Sequence, residues 1–189
     1  MRKRHYVLIV LLAMLTISVV VIATWQTATG RYVRTWIRAF RGNELFQLEL
    51  ADIYFVGSGV PADPDRGLYW LHTCAYQGLD NCQGVLGSLY HEGLFINQDS
   101  GLALRWYMLA ANQGLPWVQQ RLGEIYRDGA LCPRDLIQAH KWFTLANDPF
   151  NDLEALEGKM TSEQIQAAAL QVENWKPRVL NPRSFVTRK

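Results

Sequence analysis

No acidic residue stands among positions 1–41, and none follows Pro177. Both ends of the 189-residue chain are therefore basic, with Arg2, Lys3, Arg4, Arg31, Arg34, Arg38 and Arg41 at one and Arg178, Arg183, Arg188 and Lys189 at the other. Eight basic groups remain in the middle, against all 17 acids. An acidic body speaks against a nucleic-acid partner, whose binding is dominated by phosphate neutralisation. Basic ends beside an apolar segment fit an anionic membrane surface better. Catalytic constellations are also missing. His91-Glu92 is not followed by the second His that a zinc-protease helix requires. There is no Gly-rich phosphate loop and no nucleophile elbow, and Gly57-Ser58-Gly59 reads as a repeat loop. His72, Cys74, Cys82 and His91 lack the spacing of a structural zinc site. The expectation is a non-enzymatic chain with no cofactor, no metal and no small-molecule substrate.

Residues Tyr6 to Trp25 contain no charge, and Arg2-Lys3-Arg4 stands just before them. It reads as an uncleaved transmembrane helix over residues 6–25 or as a signal peptide. The almost wholly apolar run Val7–Ala23 sits at the lower edge of the spanning range, and Val21 and Ala23 would satisfy a cleavage rule after Ala23. The basic residues 1–5 then lie in the cytoplasm and the rest of the chain outside it. Over residues 26–43, Arg31, Arg34, Arg38 and Arg41 recur at three- and four-residue spacing, one stripe along a helix. Tyr32, Val33, Trp36, Ile37 and Phe40 lie off that stripe. Such a segment can lie along lipid headgroups or can be the first helix of the folded domain.

From there a period of 36 residues takes over. It links Tyr54, Tyr90 and Tyr126; Leu50, Leu86 and Leu122; Gly57, Gly93 and Gly129; Asp63, Asp99 and Asp135; and Trp70, Trp106 and Trp142. Gln47, Gln83 and Gln119 share a position, as do the small residues Ala51, Gly87 and Gly123. Each unit reads as a helical hairpin. In the middle copy a first helix spans roughly Gln83 to Glu92 and ends at Gly93. Asp99 caps a second helix whose buried stripe holds Trp106, Leu109 and Ala110. One hairpin cannot bury its apolar face alone, so the units must stack.

The segments Leu86-Gly87-Ser88-Leu89-Tyr90-His91-Glu92-Gly93 and Ala103-Leu104-Arg105-Trp106-Tyr107-Met108-Leu109-Ala110-Ala111-Asn112-Gln113-Gly114 resemble the Sel-1-like repeat family, related to the tetratricopeptide repeat. The first copy departs from the pattern with Ala51 and Gly67, and the third breaks after Ala146. The resemblance implies an all-α fold, an αα-hairpin solenoid of three repeats over 44–79, 80–115 and 116–150, preceded by one transmembrane helix. A C-terminal helical cap over 151–177 follows, where Thr161-Ser162-Glu163-Gln164 has capping-box spacing, and then a basic tail over 178–189.

Three cysteines are present. The gap between Cys74 and Cys82 is short and contains Gly78, so the two thiols can face each other across the inter-helix turn. The segment Cys74–Gly93 is also similar to the cysteine-rich bacterial members of the family, where such a pair closes a disulfide. The other reading is two free core residues, since the aligned positions hold Ala110 and Val118. A disulfide implies an oxidising compartment. Cys132 is left over.

The resemblance places recognition at variable positions on the first helices, between framework residues. The candidate protein-binding residues are Asp52 and Phe55 in the first copy, Ser88, His91 and Glu92 in the second, and Glu124, Arg127 and Asp128 in the third, with Leu48, Val56, Gly84 and Gln120 beside them. Solvated faces are the other reading of Glu49/Asp52 and Glu124/Asp128. The expected function is an adaptor anchored by a single pass in the bacterial inner membrane and facing the periplasm, where it assembles or regulates an envelope complex. The alternative is a periplasmic immunity protein whose partner is a secreted toxin, such as a type VI lipase.

Overall fold

In the computed structural model, residues 27–147 and 152–178 are described. They form α-helices, with no strand among them: α1 (Ala28–Phe40), α2 (Glu44–Val56), α3 (Pro64–Gln77), α4 (Asp80–Glu92), α5 (Ser100–Asn112), α6 (Pro116–Asp128), α7 (Leu136–Ala146), α8 (Asp152–Glu157) and α9 (Ser162–Glu173). Helices α2/α3, α4/α5 and α6/α7 are the hairpins of the three copies. The chain divides into two compact units, residues 1–70 and 71–189, with the boundary inside α3. The transmembrane helix expected over 6–25 lies outside the described residues, as do the cleavage site at Ala23 and all but Arg178 of the tail. Among the described residues no helix is long and apolar enough to cross a membrane.

Each recurring residue has a mechanical role. Asp99 accepts a hydrogen bond from the Leu102 amide at 2.8 Å, and Asp135 from the Gln138 amide at 3.0 Å, capping α5 and α7. Gly57, Gly93 and Gly129 end α2, α4 and α6 at φ of 80°, 71° and 72°, a left-handed conformation that a side chain would strain. The amide nitrogens of Gln47, Gln83 and Gln119 donate to the carbonyls of Ala39, Ala75 and Ala111 at 3.3, 3.1 and 3.0 Å. This buried amide ties every first helix to the helix before it. In the middle copy α4 begins at Asp80, earlier than the expected Gln83, because Leu79 already supplies the carbonyl to which the Gln83 amide bonds.

The glutamine contacts also settle what α1 is. Ala39, Ala75 and Ala111 stand 36 residues apart, and so do Gly42, Gly78 and Gly114, all at positive φ. Thr27 caps α1 at the position that Asp63, Asp99 and Asp135 hold for α3, α5 and α7. Helix α1 thus holds the place of a second helix in the period, and it packs on α2. Ala39 is buried there, and the Tyr32 and Tyr54 hydroxyls share a hydrogen bond at 3.0 Å. Their coupling and burial push the Tyr32 phenol up to about 12.

Small residues set the hairpin spacing. A Cβ on Gly87 would sit 2.7 Å from the Tyr107 ring, and one on Gly123 would sit 2.5 Å from Phe143. In the first copy a Cβ on Gly67 would meet the Phe55 ring at 2.7 Å, which accounts for glycine where the other copies hold Ala103 and Ala139. The C-terminal helices close the second unit. Thr161 and Gln164 form both bonds of a capping box at the start of α9, and Leu156 of α8 is buried against Ala139 and Phe143.

Cys74 and Cys82 form a disulfide with Cα atoms 5.9 Å apart, both fully buried. Cys132 is a free, half-buried thiol whose pKa burial raises. The disulfide closes a short loop, so its effect on the unfolded chain is modest, about 2–3 kcal/mol. The variant Cys74→Ala with Cys82→Val copies the aligned Ala110 and Val118, so packing is conserved. Its unfolding free energy is expected to fall by that much, and a denaturation midpoint equal to the parent's would mean that the cross-link contributes nothing.

Candidate functional site

The expected recognition positions fall into two groups once their contacts are known. Phe55, His91 and Arg127 occupy one position of the period, and each turns to its own hairpin. The Phe55 ring covers Gly67. The His91 ring meets Tyr107 edge-on at 6.1 Å. The Arg127 guanidinium lies 5.7 Å over Phe143 and pairs with Asp128 at 2.8 Å and Asp152 at 2.5 Å. These pairs hold the Asp128 carboxyl below its usual range and the Arg127 guanidinium more firmly charged. Gln120 is buried and donates to the other Asp152 oxygen at 3.0 Å. Through Asp152, helix α8 is thus clamped onto the first-helix face of the third copy. Gly84 is buried as well, for a Cβ there would sit 2.5 Å from the Trp117 ring.

The remaining residues stay open. Within the second unit they gather along α4 and α6. The Tyr107 hydroxyl, coming from α5 beneath, donates to Ser88 Oγ at 3.1 Å and lies 3.5 Å from His91 Nδ1. Burial raises the Tyr107 pKa, partly opposed by its bond to Ser88, so the phenol is a neutral donor. Arg121 bonds Glu124 at 3.0 Å, and both are partly exposed. Glu92 is exposed on the last turn of α4, and Trp117 is 40% exposed over Gly84. The face therefore combines an accessible indole, a guanidinium, two carboxylates, a hydroxyl and an imidazole. In the first unit Asp52 and Val56 are exposed on α2, and Leu48 is half-buried. Trp117, Arg121 and Tyr107 were not among the expected residues. Trp117 lies in the first turn of α6, ahead of the positions that the resemblance carries over.

Chemically this face can hold a partner by ring stacking, salt bridges and hydrogen bonds. Among the described residues no group of three or more His, Cys, Asp or Glu could hold a metal ion.

A family model described as Sel1 repeat matches residues 45–79, 82–115 and 118–148, more than half of the chain. A Sel1 repeat protein from Oxalobacter formigenes is 27% identical with a TM-score of 0.57, the match covering 76% of this chain and 97% of that one. A protective antigen present in uropathogenic Escherichia coli strains, displaying an SLR fold, is 28% identical with a TM-score of 0.67. That match covers 84% of this chain and 34% of the antigen, so the chain spans about a third of that protein's length. No curated protein matches. The three matched copies coincide with the hairpins α2/α3, α4/α5 and α6/α7, and the chain belongs to the Sel1 repeat family.

Proposed function

We propose that this chain is a non-enzymatic protein-interaction module, anchored in the bacterial inner membrane through residues 6–25 and facing the periplasm, where it assembles or regulates an envelope complex. The observation that carries the binding reading is the open face of α4 and α6. Its framework positions are spent on packing, while Trp117, Arg121, Glu92 and Glu124 are left accessible. Aromatic and Arg side chains dominate binding energy at protein interfaces. The Cys74–Cys82 disulfide supports an oxidising compartment, and Arg2-Lys3-Arg4 before an uncharged stretch supports the orientation.

The test uses the full chain, tagged and purified from membranes of its host in mild detergent. Trp117→Ala with Arg121→Ala is expected to lower recovery of a co-purifying protein by roughly 30-fold or more, as loss of a hot spot of about 2 kcal/mol does. The control Arg105→Ala, an exposed second-helix position, keeps it. Loss with the control and retention with the pair would reject this face. A reporter active only in the periplasm, fused after Lys189, should be active; a working cytoplasmic reporter there would reject the orientation.

A further inference from the structure

Helix α1 has three stripes. Tyr32 and Ala39 face α2 and hold the helix to the first copy, and Thr35 is buried. Arg31, Arg34, Arg38 and Arg41 form a second stripe at three- and four-residue spacing, with Arg31 donating to Ser58 Oγ at 2.8 Å and Arg38 lying 4.7 Å over the Phe46 ring. Val33, Trp36, Ile37 and Phe40 form a third. Val33 and Trp36 are each 40% exposed and Phe40 70%, although Trp36 and Phe40 stack at 5.3 Å. Leu45, just past the turn, is 67% exposed.

The period sets α1 apart from the second helices of the three matched copies. In α5 the positions Ala103, Trp106 and Ala110 are all buried. The same positions in α1 are Arg31, Arg34 and Arg38. A helix laid there would bury three guanidinium groups, which is costly without partner carboxylates. Residues 1–26 contain no acid to supply them.

We infer that the Val33/Trp36/Phe40 stripe of α1 is seated in the interfacial layer of an anionic lipid bilayer, with the Arg stripe on the headgroups; this rests on the anchor reading above. Three observations select lipid. The stripe begins eight residues after Trp25, so an anchor over 6–25 delivers α1 to the headgroup level. Trp favours that level, where its apolar ring and N–H are both satisfied. Each Arg near an anionic surface adds attraction, and the stripe carries no acid to oppose it. Seating α1 in this way fixes the first copy against the membrane and does not leave it on a free tether.

The experiment places the full chain in vesicles of phosphatidylcholine and phosphatidylglycerol. An environment-sensitive fluorophore is attached through Val33→Cys in a Cys132→Ser background, and in a second protein through Gln166→Cys, an exposed position on α9. The expected result is that both proteins float with the vesicles, that the Val33 probe emits to the blue and is quenched by a lipid-borne quencher, and that the Gln166 probe reports water. Adding Trp36→Asp and Phe40→Asp is expected to return the Val33 probe to water while the chain still floats. A floating chain whose Val33 probe reports water would overturn the docking and leave the anchor standing. A chain that does not float would overturn the anchor and the docking with it. A shielded probe that the lipid quencher does not reach would mean that protein, a second copy or another chain, covers the stripe, and would also overturn it.

Discussion

Trp106→Ala is expected to destabilise the fold by about 3–5 kcal/mol, the range for removing a large buried ring. For a domain of this size that corresponds to a fall in melting temperature of roughly 6–20 °C. Trp106 is only 6% exposed, and its indole is met edge-on by the rings of Tyr76 at 5.4 Å and His72 at 6.4 Å. Its removal thus opens a cavity between α3 and α5 inside the second unit, and backbone shifts cannot close it without breaking the Gln83–Ala75 bond. A pH signature accompanies the loss. Burial lowers the His72 pKa from its ordinary 6.5, so the folded state binds fewer protons than the unfolded one below that pH. Wild-type stability therefore falls as pH drops through about 6.5 and below. In Trp106→Ala water reaches His72 and that acid-side loss shrinks. Thermal melts at pH 7.5 and 5.5 check both parts; an unchanged melting temperature at the higher pH would mean that Trp106 does not occupy the core.

The hairpins were legible in the sequence because their framework is chemical as well as periodic. A glycine at a left-handed helix end, an aspartate at a cap and a glutamine that must find a carbonyl admit few substitutes, so their recurrence at Gly57, Asp99 or Gln119 identifies the unit. Helix α1 escaped the same reading. It keeps the glycine, the alanine and the capping oxygen in Gly42, Ala39 and Thr27, yet the face that signals a second helix carries arginines where α5 has Ala103, Trp106 and Ala110.

The binding face was legible only in outline. Ser88, His91, Glu92 and Glu124 lie together along α4 and α6. Phe55 and Arg127 share the period position of His91, but period says nothing of rotamer or of distant partners. Arg127 is held by Asp152, a residue beyond the repeats whose docking has no periodic signal. The Tyr107 hydroxyl belongs to a core ring and surfaces between α4 and α6 only because Gly87 lets that ring lie against the helix.

The small position of the period supplies the second large effect. Gly123→Ala is expected to lower stability by about 2 kcal/mol: overpacking of up to about 3 kcal/mol, offset by about 1 kcal/mol of helix propensity. The added Cβ would stand 2.5 Å from two atoms of the Phe143 ring. That ring is fully buried, has the Arg127 guanidinium 5.7 Å from its centre and shares a core with Leu156, so it cannot swing aside. Helices α6 and α7 must separate, which also strains the Arg127–Asp152 clamp on α8. Phe143→Leu alone removes ring volume and costs about 1–2 kcal/mol. In the sequence of the first copy the same two positions read Ala51 and Leu71. The double variant Gly123→Ala with Phe143→Leu is therefore expected to be more stable than the two single losses added together, with a coupling of at least about 1 kcal/mol. Pairing Phe143→Leu with Gly101→Ala, whose Cβ would meet only the Asp99 carboxylate at 3.3 Å, should give additive effects. Urea denaturation of the five variants decides it. Additivity in the Gly123 pair would mean that ring and glycine do not share the space between α6 and α7, and the hairpin spacing would then need another cause.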